Sequence, residues 1–212
     1  MRNKNYKIFR GTNSYTNITN YILSFILRNK SKKLILTGGK SARLIYKVLF
    51  KRLKKLNTKV DIYLSDERCL KLGNKNLNEN IFKNKFKNTP INFYPILLKQ
   101  KSYVFSANRY NKILPDNPSI IFLSVGNDGH IASIFKGSKA IKQKKKIVYE
   151  KKKYKYFKRI SITMNYLKNK KNILLFCRGK KRFKIFKKLI KTKGEILYFL
   201  HKTNPNYKLI LA

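Results

Sequence analysis

The chain has 212 residues, enough for one domain with a sizeable core, and strand-like and helix-like segments alternate to its end with no linker between them. Two cysteines, Cys69 and Cys177, are too few for a disulfide framework and point to a reducing, cytoplasmic setting. No stretch approaches the ~20 apolar residues of a membrane span, and no apolar run follows the basic N-terminal residues as a secretory signal requires.

The formal charge is +44, from 52 Lys+Arg against 8 Asp+Glu. Nucleic-acid binders concentrate such charge in a patch, stripe or tail. Here lysine is spread over almost every segment, alongside much Asn, Ile, Tyr and Phe and no Trp, the composition that coding DNA rich in A and T favours. The expectation is salt-sensitive, nonspecific adhesion to polyanions, with no specific nucleic-acid partner. A basic nucleic-acid-binding protein is the alternative that the same charge permits.

In chain order, Ser14 to Asn29 reads as a helix with Ser14 as N-cap and Ile18, Ile22, Phe25 and Ile26 on one face. Leu34 to Thr37 is a short buried-type strand, and Ser41 to Leu56 has helical periodicity through Leu44, Ile45, Val48, Leu49, Leu53 and Leu56. Between them lies Gly38-Gly39-Lys40-Ser41. A helix N-terminus gathers unpaired N–H groups that favour a phosphate, and Lys40 and Ser41 add a cation and a hydroxyl. A plain tight turn explains the two glycines equally well, and the upstream glycine of a Walker A loop is missing.

Val60 to Leu64 is the next strand, ending at Ser65-Asp66-Glu67-Arg68, a dense charge cluster for a chain so short of acids. Arg68 offers a planar fork for a phosphate or carboxylate; the alternative is a surface salt bridge among Asp66, Glu67 and Arg68. Leu70 to Asn80, which contains Asn78, reads as a polar loop near the site, and Ile81 to Phe86 as the start of a helix. A short strand, Ile91 to Tyr94, lies between Pro90 and Pro95, and a helix from Lys101 to Leu114 stops at Pro115.

Ser119 to Val125 is a buried-type strand that runs into Gly126-Asn127-Asp128-Gly129-His130, with a helix or helical turn expected after it. Histidine exchanges a proton near neutral pH, Asp128 stands where it can fix the ring's tautomer, and glycines let backbone N–H groups approach a ligand. In an open α/β sheet this is the crevice where ligands bind. Taken alone, Asn-Asp-Gly is simply good turn chemistry and His130 a helix cap.

Lys139 to Lys158 reads as a solvated excursion with a short strand at Ile147 to Tyr149. A strand from Arg159 to Thr163, a short helix from Met164 to Lys171 and a buried strand from Ile173 to Cys177 follow. Gly179 then opens a basic helix, Lys180 to Lys191, whose Arg182 can reach an anion, although a lone basic residue in this chain more often reads as surface. Ile196 to Leu200 and Lys208 to Leu211 are strand-like, and His201 a loop residue. Neither cysteine has a partner at metal-ligand spacing. Three of the eight acids and six of the nine glycines fall in the segments singled out: Asp66, Glu67 and Asp128; Gly38, Gly39, Gly126, Gly129, Gly137 and Gly179.

Together, Thr37-Gly38-Gly39-Lys40-Ser41, Ser65-Asp66-Glu67-Arg68, Val125-Gly126-Asn127-Asp128-Gly129-His130-Ile131-Ala132-Ser133-Ile134-Phe135, Arg159-Ile160-Ser161-Ile162-Thr163 and Gly179-Lys180-Lys181-Arg182 make a specific pattern. It resembles the 6-phosphogluconolactonases, relatives of the glucosamine-6-phosphate deaminases, over about Leu34 to Leu189. Deaminases typically carry Asp-Glu-Tyr at the position of Asp66-Glu67-Arg68 and an acid in Ala-Phe-Asn-Glu-Pro after the histidine. Ala132-Ser133-Ile134-Phe135-Lys136 has no such acid, so the lactonase branch fits better and the deaminase or isomerase is the nearest rival. The family pattern usually has Pro at Ala42, Ser at Leu77, Gly at Ser124, Pro at Lys136 and Lys at Arg182.

The resemblance implies a single domain over residues 1–212 with a modified Rossmann-like α/β fold, a mostly parallel sheet flanked by helices, and a site that needs no metal or other cofactor. It implies a sugar phosphate lactone as ligand, held by Gly38, Gly39, Lys40, Ser41, Arg68, Asn78, Gly126, Gly129 and Arg182. His130 would be the base and Asp128 its orienter, in a monomer or weak dimer.

Overall fold

The computed structural model describes residues 6–9, 13–99, 102–154 and 156–212, with the side chains of Tyr6 and Lys40 outside that set. In chain order the elements are β1 (Tyr6–Ile8), α1 (Ser14–Arg28), β2 (Lys33–Leu36), α2 (Arg43–Lys55), β3 (Val60–Leu64), β4 (Asp66–Arg68), β5 (Ile91–Tyr94), α3 (Tyr103–Ile113) and β6 (Ile120–Ser124). They continue with β7 (Ile147–Tyr154), β8 (Phe157–Ile162), α4 (Met164–Leu167), β9 (Ile173–Cys177), α5 (Gly179–Leu189), α6 (Ile196–Thr203) and β10 (Lys208–Leu211).

Among the described residues seven strands form one sheet in the order β1-β10-β9-β6-β2-β3-β5, and every pair in it is parallel. A parallel sheet has helices on its faces, so its strands read as near-continuous apolar runs. Ile173, Leu174, Leu175, Phe176 and Cys177 of β9 are all without solvent exposure, and Ile120 to Leu123 of β6 are buried too. This is the doubly wound α/β architecture expected above. From β2 the chain builds one way through β3 and β5 and the other way through β6, β9 and β10. The loops after β2 and β6 therefore diverge and leave a crevice at their carboxyl ends.

A second sheet, β4-β8-β7, is antiparallel and was not foreseen. Ser65 alone separates β3 from β4, and its carbonyl accepts the Ile162 N–H at 2.9 Å, so the small sheet sits against the carboxyl end of β3. The expected solvated excursion is largely this sheet: β7 runs eight residues and pairs with β8.

Other expectations change in detail. Asn13, not Ser14, occupies the cap position of α1, and its side chain makes no cap hydrogen bond. A 3-10 turn, Lys40–Ala42, precedes α2, and the helix buries Ile45, Tyr46, Leu49, Phe50 and Leu53. Leu44 and Leu56 fall off that stripe and stay about half exposed, at 47% and 48%. Residues 81–86 do not start a helix; a 3-10 turn at Asn78–Ile81 gives way to turns in which Asn84 takes φ 58°. Ile196 to Leu200 is helix, not strand, with Ile196, Leu197 and Leu200 buried on one face. His201 belongs to the last turn of that helix, its Nδ1 3.1 Å from the Tyr207 hydroxyl.

Candidate active site

The segment after β6 is not helical. Val125 bridges Ile131, Ile131 bridges Ile134, and Ala132 takes φ 50°, so the peptide folds back on the strand end. The Gly126 N–H donates to the His130 carbonyl at 2.8 Å and the Gly129 N–H to the Gly126 carbonyl at 3.1 Å, closing a tight loop. A Cβ at Gly126 would overlap the His130 ring, so glycine is required there by the ring's approach. Nδ1 of His130 contacts Oδ1 of Asp128, and the ring stacks on Phe135 at 4.4 Å between centroids. Phe135 stacks in turn on Tyr154 at 4.7 Å. The His130 side chain is 20% exposed and Asp128 45% exposed.

His130 opens onto a cleft of about 300 Å³ lined also by Gly38, Gly39, Ser41, Arg68, Asn78 and Arg182. The loop after β2 is anchored by the Tyr46 hydroxyl, which donates to the Thr37 carbonyl at 2.8 Å. Arg182, in the first turns of α5, donates from Nη1 to the Ser41 hydroxyl at 2.7 Å and from Nε to Oδ1 of Asn127 at 3.0 Å. That one side chain joins the carboxyl ends of β2, β6 and β9, three neighbouring strands.

The third wall comes from β4. Instead of forming a surface salt bridge with Arg68, Asp66 and Glu67 are buried, at 4% and 0% exposure. Asp66 accepts from the hydroxyls of Ser65 at 2.7 Å and Ser133 at 2.6 Å and from the Asn78 amide at 3.2 Å. Glu67 accepts three backbone N–H groups, those of Arg68 and Asn78 on Oε1 and of Glu79 on Oε2, all within 2.8 Å. Burial pushes its carboxyl up to about 7, against the pull of those three bonds, with nearby Asp66 adding to the rise. The clasp seats Asn78 so closely on Gly38 that a Cβ there would overlap its side chain. The guanidinium of Arg68 donates to the Asn76 carbonyl.

Of the residues singled out in the sequence, Gly38, Gly39, Ser41, Arg68, Asn78, Gly126, His130 and Arg182 line one cleft. Gly129 does not; it is buried with the Leu189 side chain where its Cβ would stand. Asp128 reaches the cleft only through His130, and the Lys40 side chain lies outside the described residues. Asp66, Asn127 and Arg159 also line the cleft and were missed as site residues. A signal was available for Arg159, an arginine in a chain whose cations are overwhelmingly lysine. Ser124, where the family pattern has glycine, faces the cleft with its buried hydroxyl unpartnered among the described residues, and Lys136 makes an ion pair with Glu195 at 2.6 Å. Burial pushes the thiols of Cys69 and Cys177 up to about 12, which leaves neither as a nucleophile.

Over residues 12–198 the sequence matches the family described as glucosamine-6-phosphate isomerases/6-phosphogluconolactonase. The chain belongs to this family. Within the glucosamine-6-phosphate isomerase/6-phosphogluconolactonase family, a Dictyostelium discoideum protein named as a probable 6-phosphogluconolactonase is 28% identical over 183 residues, which is 80% of this chain and 78% of that one. A 6-phosphogluconolactonase of Xylella fastidiosa is 28% identical over 198 residues, covering 85% and 81%. The crystal structure of the Thermotoga maritima 6-phosphogluconolactonase shares the fold at TM-score 0.81 and 18% identity, covering 97% of each chain. The expected family and its α/β fold are thus the observed ones.

Proposed function

We propose that this chain hydrolyses 6-phospho-D-glucono-1,5-lactone to 6-phosphogluconate. The observation that carries the reading is the contact of Asp128 with Nδ1 of His130, in a cleft that also holds the Arg182–Ser41 contact. A carboxylate at Nδ1 keeps the proton on that nitrogen and leaves the Nε2 lone pair as the base. The substrate's phosphate sits against Gly38, Gly39, Lys40 and Ser41 with Arg182 as its cation, while Asn78, Arg68 and the turn at Gly126 shape the space for the sugar ring. Gripping the remote phosphate brings C1 to the histidine.

Nε2 takes a proton from water as the water oxygen bonds to C1. The tetrahedral intermediate then breaks its C1–ring oxygen bond, the imidazolium returns the proton to the leaving ring oxygen, and the new carboxyl loses its own proton to solvent. The deaminase branch of the family needs a further acid beyond the histidine. Residues 131–136 carry none, and Phe135 there is the ring on which His130 stacks.

The test is hydrolysis of fresh lactone, corrected for spontaneous opening, by wild type and His130→Ala in parallel. Turnover in the variant is expected to fall by ~10² or more while 6-phosphogluconate still binds. Unchanged turnover removes His130 from the chemistry. Ammonia release from glucosamine 6-phosphate without lactone hydrolysis assigns the chain to the other branch.

A further inference from the structure

The cleft has a cationic wall whose charge this mechanism leaves without a task. β4 and β8 pair with Arg68 directly across from Arg159, so two guanidinium groups stand side by side facing the cavity. Arg159 is 6% exposed. Its Nη2 donates to the Tyr154 carbonyl at 3.2 Å, its Nη1 lies 3.5 Å from the Ser133 hydroxyl, and its Nε is buried with no partner among the described residues. Nε of Arg68 is buried and unpartnered in the same way. Among the described residues neither guanidinium makes an ion pair, because Asp66 is engaged by two serines and Asn78, and Glu67 by three backbone N–H groups. Burial lowers the Arg159 pKa; Asp66 opposes that and Arg68 adds to it.

Two like charges held together in one wall, each with a buried Nε donor left over, are an unfavourable arrangement that an anion would complete. Position says which anion. The Arg159 Cζ lies 5.7 Å from the centroid of Phe135, the ring against which His130 stacks, whereas Arg182 is bound to Ser41 beside the glycine loop. One cation therefore belongs to the remote phosphate and the other pair to the neighbourhood of the base.

We propose that Arg159, with Arg68 beside it, is the subsite for the C1 oxygen: it takes up the charge that develops there as water adds and then holds the product's carboxylate. The proposal rests on the lactone-opening reading. As the water oxygen bonds to C1, the C=O π electrons move onto the carbonyl oxygen, and they return to C1 as the bond to the ring oxygen breaks. The carboxylate left after proton loss is a planar pair of oxygens that matches a guanidinium fork.

Wild type, Arg159→Gln, Arg159→Lys and Arg182→Gln would be titrated calorimetrically with 6-phosphogluconate and with glucitol 6-phosphate, which has the same phosphate but a hydroxymethyl group in place of the carboxylate. Lactone turnover would be measured alongside. Wild type is expected to prefer the acid by about ten-fold or more. Arg159→Gln should erase that preference, leave glucitol 6-phosphate affinity nearly unchanged and lower kcat by about 10². Arg159→Lys should restore part of the preference, and Arg182→Gln should weaken both ligands together. Equal loss of both ligands in Arg159→Gln, or a wild type that does not distinguish them, overturns the subsite. Should Arg159→Gln not fold, wild type and Arg68→Gln decide, with the preference narrowed in the latter if the subsite is right and unchanged if it is wrong. Preference for the acid without lactone turnover keeps the subsite and overturns the hydrolase reading, and turnover without preference does the reverse.

Discussion

At the scale of single residues, the site depends on two places where a side chain has been dispensed with. Gly126 lies where a methyl group would overlap both the His130 ring and, less severely, the Asp128 carboxylate. Gly126→Ala therefore has to displace the imidazole, held on its other contact by the Phe135 ring. A shift near 1 Å in a reacting group can cost roughly 10² in rate. Gly126→Ala is expected to lose turnover on that scale while keeping most of its affinity for 6-phosphogluconate, since Arg182 stays bound to Ser41 even where its second bond, to Asn127 of the same loop, is disturbed. Steady-state kinetics beside a binding titration checks this, and a variant that loses affinity and keeps turnover would move the phosphate to the His130 loop. Gly38 is the mirror case: there the intruding group is Asn78, so an added methyl disturbs the wall built by β4 and leaves the imidazole alone.

At the scale of elements, the short strand β4 and the turn from Leu70 to Asn80 are held together by one buried carboxylate. Three backbone N–H donors converge on Glu67, two of them from residues 78 and 79 across the turn. A Gln in its place keeps the shape but turns an NH2 group toward one of those donors. Because the folded carboxyl holds its proton up to about pH 7 and the unfolded one releases it near 4.5, wild-type stability falls as pH rises through that window and levels off above it. Glu67→Gln is expected to remove that component, so that the melting-temperature difference between the two proteins changes between pH 4.5 and 7 and is flat at higher pH. A difference independent of pH would mean that Glu67 stays ionised throughout the window.

The same elements show what a sequence discloses. The continuous apolar run Ile173 to Cys177 packs as a strand buried on both faces, as a central strand of a parallel sheet must. Ile196 to Leu200 is as apolar and of the same length, and a five-residue run does not choose between periods of 2 and 3.6; packing against the core made this one the helix α6. The loops after β2 and β6 were legible because glycine, acid and histidine stand at strand ends. Arg159 stood out only as an arginine among lysines; its place in the site was not legible, because that comes from pairing with Arg68, far away in the chain, in an antiparallel register that no local pattern encodes.

At the scale of the whole molecule, the question is what a charge of +44 does to a protein whose proposed ligand is an anion. With eight acidic residues in the chain, most lysines have no carboxylate to pair with, and the ion pairs made by lysine among the described residues are Lys136–Glu195 and Lys146–Asp116. The surface charge therefore repels itself, and it also draws in any polyanion or sugar phosphate. Salt screens both effects, over a Debye length of about 10 Å at 0.1 M, so it acts on stability and on binding with opposite signs. Raising NaCl from about 20 to about 300 mM is expected to increase the melting temperature and the KM for the lactone, with kcat nearly unchanged. Adhesion to nucleic acid should vanish over the same range and show no preference for sequence, because charge neutralisation is its only source. Binding that survives about 0.3 M salt and discriminates between sequences would make the lysines a recognition surface and restore the nucleic-acid reading. A melting temperature that falls with salt would show that the few pairs, rather than the many unpaired cations, govern the electrostatics of the fold.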